Sequence, residues 1–142
     1  LHMAQSHDFI NELTITTYTL NKEAFSLLVD MVKSKTIKKL NLLLASSYTF
    51  RNKSQYELIK KTFVSLSEKY DVSLTFAWLH LKITLVECGD DFYQIEGSMN
   101  YSQNNMAEQI LITNDWDLYK RDYDFILRTM RDRQNKALEI IV

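Results

Sequence analysis

Short runs of β-branched and aliphatic residues alternate along this chain with segments whose apolar residues recur at helical spacing. The first run, residues 13–19, reads LTITTYT, and β-branched side chains of this kind fit the pleated surface of a strand. Asn21 follows at a position suited to a helix N-cap, and the apolar residues from Phe25 to Val32 keep the spacing of one helix face. A strand followed directly by an amphipathic helix is therefore predicted near the start of the chain.

The same two periodicities predict the remaining elements. A Gly-Asp-Asp turn at residues 89–91 separates two strand-like segments, which makes them a hairpin. Strands that alternate with helices, together with one hairpin, predict an α/β fold in which a mixed β-sheet is flanked by helices. The predicted strands are 40–45, 72–87 (one strand, or two with a bend), 92–95 or beyond, and 109–112, and the predicted helices are 55–70 and 117–133.

The size and composition of the chain favour one folded domain. Its 142 residues suffice for a hydrophobic core, and 46% apolar with 25% charged residues is a globular composition. The opening residues, LHMA, resemble an expression scar. We therefore expect residues 1–8 to be a tag remnant and flexible N-terminus, and residues 9–142 to form a single domain.

Membrane insertion and disulfide bonding are not expected. No apolar run approaches the roughly 20 residues that a membrane-spanning helix needs. The single cysteine, Cys88, excludes an internal disulfide, which agrees with a reducing compartment and a cytoplasmic location. The net charge of −1 excludes a polycation, so a nucleic acid would have to be bound through a local patch.

Four polar residues are expected to meet at one end of the predicted hairpin. His80 and Lys82 are two positions apart, as are Ser98 and Asn100, and side chains two apart on a strand share a face. A hairpin centred near the glycine of the turn places His80 opposite Ser98. One centred near the following aspartate places it opposite Asn100. Either register brings all four side chains together.

These residue types suit the chemistry of a phosphodiester. Lys82 supplies a positive charge for phosphate, Asn100 amide donors and Ser98 a hydroxyl. His80 can attack as a nucleophile when neutral or donate a proton when charged. Glu108 precedes another apolar strand, and its carboxylate could orient the imidazole. The scheme needs neither a metal ion nor a cofactor, and the sequence has no His/Cys cluster with metal-ligand spacing.

In their order along the chain, these residues resemble the HKD motif of the phospholipase D superfamily, above all that of its small nucleases with one motif per chain. The resemblance rests on His80-Leu81-Lys82, on Gly97-Ser98-Met99-Asn100 and on Glu108. It implies a phospholipase D-like fold and a metal-independent phosphodiesterase. The expected substrate is nucleic acid, with DNA ahead of RNA.

The resemblance also implies a role for each matching residue. His80 would be the nucleophile that forms a phosphohistidine, and a second histidine would act as general acid and then as base. Lys82 and Asn100 would bind the phosphate, Ser98 would support the site, and Glu108 would orient the histidine. From their position in a polar loop after an apolar strand, Arg51 and Lys53 are further candidates for contact with a polyanion.

The chain departs from the family pattern in two places. Glu87 stands where the family usually has a structural aspartate, which affects local packing more than chemistry. The stretch from Glu87 to Gly97 is also longer than the common form. We interpret the excess as a longer hairpin turn.

The histidine count predicts a homodimer. The chain has three histidines: His2 lies in the expected tag remnant, His7 has no motif around it, and His80 lies in the motif. A mechanism with two histidines is then most simply assembled from two copies of His80 that meet across a two-fold axis.

Other interpretations stay open at the level of sequence. A catalytically degenerate module of the same fold would bind nucleic acid or a protein partner. A phospholipid hydrolase is less favoured, because the chain has no basic amphipathic helix for a membrane surface. A structural ion pair between Lys82 and Glu96 would compete with a phosphate-binding role for the lysine. Trp78 is expected in the core.

Overall fold

The computed structural model of this chain describes residues 8–97, 109–132 and 139–142. Among the residues named above, His2, His7, Ser98, Met99, Asn100 and Glu108 lie outside the described residues. The elements are β1 (Ile10–Thr17), α1 (Lys22–Lys33), β2 (Ile37–Ala45), α2 (Tyr48–Arg51), α3 (Lys53–Ser67), β3 (Asp71–Ala77), β4 (Ile83–Cys88), β5 (Asp91–Gly97), β6 (Ile110–Thr113), α4 (Trp116–Arg131) and β7 (Glu139–Ile140).

The strands form one mixed sheet in the order β6-β5-β4-β1-β2-β3-β7. The three strands β1, β2 and β3 are parallel, and α1 and α3 lie in the connections between them, as parallel pairing requires. Strands β4, β5 and β6 form an antiparallel meander that joins the sheet at β1. The predicted mixed sheet flanked by helices is confirmed.

The main hydrophobic core lies between the sheet and helices α1 and α3. Leu42 and Leu44 of β2 point into it, and Phe25 of α1 stacks on Phe63 of α3 at 6.3 Å between ring centroids. All four side chains are buried, and full burial of such a side chain stabilises the fold by about 1.5–3 kcal/mol. The buried faces of α1 and α3 are those that the helical spacing of their apolar residues predicts.

Helix α4 covers the opposite face with a smaller core. Leu43 of β2 and Leu85 of β4 contact this cluster, because side chains alternate between the two faces of a strand. Tyr119, Ile126 and Met130 of α4 complete it. Within the described residues, no helix has the length and apolar content needed to span a membrane.

A turn of two residues closes the hairpin between β4 and β5. Cys88 pairs with Asp91, so the hairpin is centred between Gly89 and Asp90, midway between the two predicted registers. Gly89 has φ of 59°, a conformation that favours glycine at the first position of such a turn.

The prediction that His80 and Lys82 lie on a strand is wrong. Strand β3 ends at Ala77 and β4 begins at Ile83, so residues 78–82 form a connection instead. β2 and β1 lie between β3 and β4 in the sheet, and the connection must cross both. Three strand spacings of about 4.8 Å leave roughly 14 Å to span, which five extended residues can cover.

Candidate functional site

The carboxyl ends of the three parallel strands meet at one edge of the sheet. Tyr18 follows β1, Ser46 follows β2 and Trp78 follows β3. In α/β sheets, ligands bind in the crevice outside the carboxyl ends of the strands. The connection that carries His80 and Lys82 passes along this same edge, which makes the edge the candidate site.

A cavity of about 500 Å³ opens at this edge, within the range of small-ligand sites. Three separate connections and α2 supply its walls. The lining residues are Tyr18, Ala45, Ser46, Ser47, Phe50, Arg51, Trp78, Leu79 and His80.

His80 is an exposed residue on the wall of the cavity. Its ring contacts that of Tyr18, with 5.1 Å between centroids and 54° between planes. The Arg51 guanidinium carbon also lies over the Tyr18 ring, 5.4 Å from its centroid. Tyr18 therefore holds an imidazole and a guanidinium at one solvent-reachable place, which suits a phosphate group.

Two backbone contacts fix the ends of the connection that carries His80. At its start, the Ser46 amide donates to the Ala77 carbonyl at 2.7 Å. At its end, the Ile83 amide donates to Thr16 Oγ1 at 3.0 Å, and that hydroxyl is 3.2 Å from the Ile83 carbonyl. The half-buried Lys82 immediately precedes this anchored residue.

The end of β5 lies beside the start of β4. Ile83 is paired with Glu96, and Gly97 with Ile110 of β6. A Cβ built on Gly97 would lie 2.5 Å from the Gln109 carbonyl oxygen, so only glycine fits this approach of two backbones. Ser98 and Asn100 follow this glycine in the sequence and Glu108 precedes Gln109. All three are outside the described residues.

The two predicted polyanion contacts differ in position. Arg51 ends α2 and lines the cavity, whereas Lys53 opens α3 as an exposed residue outside the lining set. Glu96 accepts a hydrogen bond from the Gln94 amide, and the ion pairs found among the described residues do not include Glu96 with Lys82.

Seven of the nine lining residues were not predicted as functional, and four of them are used below: Tyr18, Ser47, Phe50 and Trp78. Trp78 was expected in the core but is 78% exposed, and Phe50 is 71% exposed. The reason is topological, because Trp78 follows the last residue of β3 and no longer faces either layer. Tyr18 and Ser47 also belong to connections. The signal that could have revealed Tyr18, Ser47 and Trp78 is their place just after apolar strands, whereas Phe50 lies in α2.

Glu87, the residue at the family's aspartate position, lies on the α4 face of the sheet beside Glu12. Glu12 accepts hydrogen bonds from Asn41 at 2.5 Å and from the Tyr123 hydroxyl at 2.9 Å, and it pairs with Lys39 at 3.2 Å. Burial, and then the charge of Glu12, raise the pKa of the Glu87 carboxyl above its usual value. This polar cluster lies beneath α4 and supports the sheet, away from the cavity lining.

Comparison with known proteins gives a likeness of fold. No family model matches the chain, and no curated protein matches its sequence significantly. Among solved structures, polyphosphate kinase from Porphyromonas gingivalis has the same fold over 97% of this chain, with a TM-score of 0.65 and 11% identity. This chain covers 20% of that kinase's length. At this identity the likeness shows a shared fold, a mixed sheet flanked by helices.

Proposed function

We propose that this chain is a metal-independent phosphodiesterase that cleaves nucleic acid through a phosphohistidine. One observation carries the proposal: His80 is exposed on a cavity wall at the carboxyl edge of the parallel strands, with Lys82 two residues further along. The fold likeness to a phospholipase D superfamily kinase supports it, since the matching histidine and lysine then occur on a related scaffold.

The reaction divides into two displacements at phosphorus. The neutral imidazole of His80 attacks, a P–N bond forms, and the P–O bond to the leaving alkoxide breaks while a second histidine donates a proton to that oxygen. That histidine then removes a proton from water. The water oxygen attacks the phosphohistidine, the P–N bond breaks, and His80 is released. Lys82 neutralises the non-bridging oxygens as charge builds on them.

The remaining roles follow the motif. Asn100 would share the phosphate oxygens with Lys82, Ser98 would support the site, and Glu108 would hold the His80 ring. The first two follow β5, and Glu108 precedes β6 by two residues. Since Glu96, the residue before Gly97, is paired with Ile83 at the start of β4, the hairpin supports the proposal that they approach Lys82.

The second histidine is supplied by another copy of the chain in this proposal. Of the three histidines in the chain, only His80 lies in the motif. A two-fold axis brings the same residue of both subunits together when that residue lies near the axis. The exposure of His80 at the sheet edge leaves it accessible to such a partner.

A nuclease assay with and without EDTA tests the proposal. The wild-type chain should cleave DNA at nearly the same rate in both, and His80→Ala should abolish cleavage. His7→Ala is the matched control, because it removes a histidine outside the motif and should keep full activity. Cleavage that vanishes in EDTA and returns with magnesium contradicts the mechanism. DNA binding by the wild type without any cleavage would instead favour a degenerate binding module.

A further inference from the structure

Two aromatic side chains stand out on the described surface. Trp78 at 78% and Phe50 at 71% are the most exposed of the large apolar side chains there. Trp78 follows β3 and Phe50 lies in α2, yet both line the cavity beside His80. Exposed aromatic rings that converge on one cavity indicate a binding site, because leaving them in water is unfavourable.

A buried hydroxyl in the same cavity lacks a partner. Ser47 is only 9% exposed, and its Oγ has no hydrogen-bond partner among the described residues. A buried polar atom without a partner is unfavourable, and a ligand with a polar edge would offset that cost. The ligand that fits therefore combines a flat apolar face with hydrogen-bonding groups on its rim.

The basic side chains that line the cavity favour an anionic ligand. The lining includes the Arg51 guanidinium and the His80 imidazole, and no carboxylate is among the lining residues. A group that joins a flat heteroaromatic ring to a phosphate matches both the aromatic wall and these cations.

We infer that this cavity binds an unpaired nucleobase next to the phosphate that His80 attacks, so that the substrate is single-stranded nucleic acid. The inference rests on the proposed function for the place of the phosphate. Trp78 and Phe50 provide faces on which the base stacks, and Ser47 bonds to its edge. A base inside a duplex is stacked and paired and cannot enter, whereas every unpaired base has a free face.

Binding to a short fluorescein-labelled oligothymidylate tests the inference without turnover. His80→Asn serves as the background, since it prevents cleavage and keeps a polar side chain in the cavity wall. Adding Trp78→Ala or Phe50→Ala should weaken binding about 5- to 150-fold, the range for loss of one base-stacking ring. Phe125→Ala, which removes a ring that is 52% exposed on α4, should change the affinity less than twofold.

A second set of measurements varies the nucleic acid instead of the protein. An abasic oligomer of the same length should bind the background chain weakly, and Trp78→Ala should not weaken that binding further. A blunt duplex should bind more weakly than the single strand. Equal affinity for the abasic and base-bearing strands, or for duplex and single strand, would overturn the inference.

Ser47→Ala examines the hydroxyl. Because Ser47 Oγ has no partner in the described structure, its removal should not lower the unfolding temperature. Loss of its bond to the base should weaken oligothymidylate binding about 2- to 13-fold. Unchanged affinity would show that the Ser47 hydroxyl does not bond to the base.

These binding measurements separate the inference from the proposed function. If the wild type cleaves no nucleic acid but the ring variants lose single-strand binding as expected, the phosphodiesterase proposal fails and the base site stands. If the wild type cleaves duplex and single strand equally and Trp78→Ala binds as tightly as its background, the base site fails and the phosphodiesterase stands.

Discussion

His80 combines an exposed side chain with an anchored backbone. The strands on either side of its connection are buried, and the contacts of Ser46 with Ala77 and of Thr16 with Ile83 tie both ends of it to the sheet. The imidazole therefore contributes little to the core, and the loop would keep its place without it. Replacing His80 should therefore affect the proposed activity without affecting the stability of the fold.

We predict that His80→Ala abolishes phosphodiester cleavage without lowering the unfolding temperature. Lys82→Ala should slow cleavage about 10²- to 10³-fold, the usual cost of losing one group that stabilises transition-state charge. Turnover on a labelled oligonucleotide and thermal unfolding by circular dichroism give the two readouts. A variant that loses activity only because it melts would assign the histidine a structural role.

Gly97 is required by the spacing between two backbones. Because a Cβ there would lie 2.5 Å from the Gln109 carbonyl oxygen, Gly97→Ala should push β5 and β6 apart and lower the free energy of unfolding by about 1–3 kcal/mol. Gly89→Asn is the control, since asparagine tolerates the positive φ of that turn. Urea unfolding of the two variants compares them. An alanine variant as stable as the wild type would contradict the close approach of these strands.

The two helical layers differ in how they bind the sheet. Helices α1 and α3 pack on an apolar core, whereas α4 covers a face on which polar and apolar residues are mixed. The Tyr123 hydroxyl of α4 reaches Glu12 of β1, and the Asp122 carboxylate of α4 accepts a bond from Gln94 of β5 at 2.7 Å. Directed bonds therefore fix α4 where hydrophobic contact alone is limited.

The carboxylate pair beneath α4 makes stability depend on pH. Burial and Glu12 raise the pKa of Glu87 above its usual 4.5, so ionisation of Glu87 weakens the fold as pH rises from that value through the raised pKa. Glu87→Gln should therefore stabilise the protein at neutral pH and have no effect well below pH 4.5. Unfolding temperatures of both chains across this range measure it. A stabilisation that is equal at acid and neutral pH would contradict this origin.

The proposed active site is larger than one chain. Each subunit offers one His80 at the exposed edge of its sheet, and the two-step reaction uses two histidines. Under this proposal dimerisation and catalysis would be coupled, because each subunit would contribute one of the two reacting histidines.

Mixed dimers test this coupling. Wild-type and His80→Ala chains refolded together in equal amounts should keep about a quarter of the activity of the same total amount of wild type, since only wild-type homodimers have both histidines. Independent active sites would keep about half. Size-exclusion chromatography with light scattering should show a dimer. A monomer that cleaves at the full rate would refute the shared site.

The local features of the fold could be predicted from the sequence because they depend on neighbours along the chain. Asn21 caps α1 through a hydrogen bond from the Ala24 amide to Asn21 Oδ1 at 2.8 Å, as its position before an amphipathic run predicts. The alternation of strands with helices was equally accessible, since the period of the apolar residues reports which face of each element is buried. The turn at Gly89 belongs to the same class.

The order of strands depends on pairing between distant residues, and no local period encodes it. The placement of β1 and β2 between β3 and β4 makes residues 78–82 a crossing connection, which takes His80 and Lys82 off the sheet and leaves Trp78 in solvent. The cavity likewise joins residues 18, 47, 50 and 80, which meet only because three parallel strands end at one edge. The sequence alone therefore determined most of the elements and the chemical types of the candidate residues. Tertiary pairing decided which of them share a site.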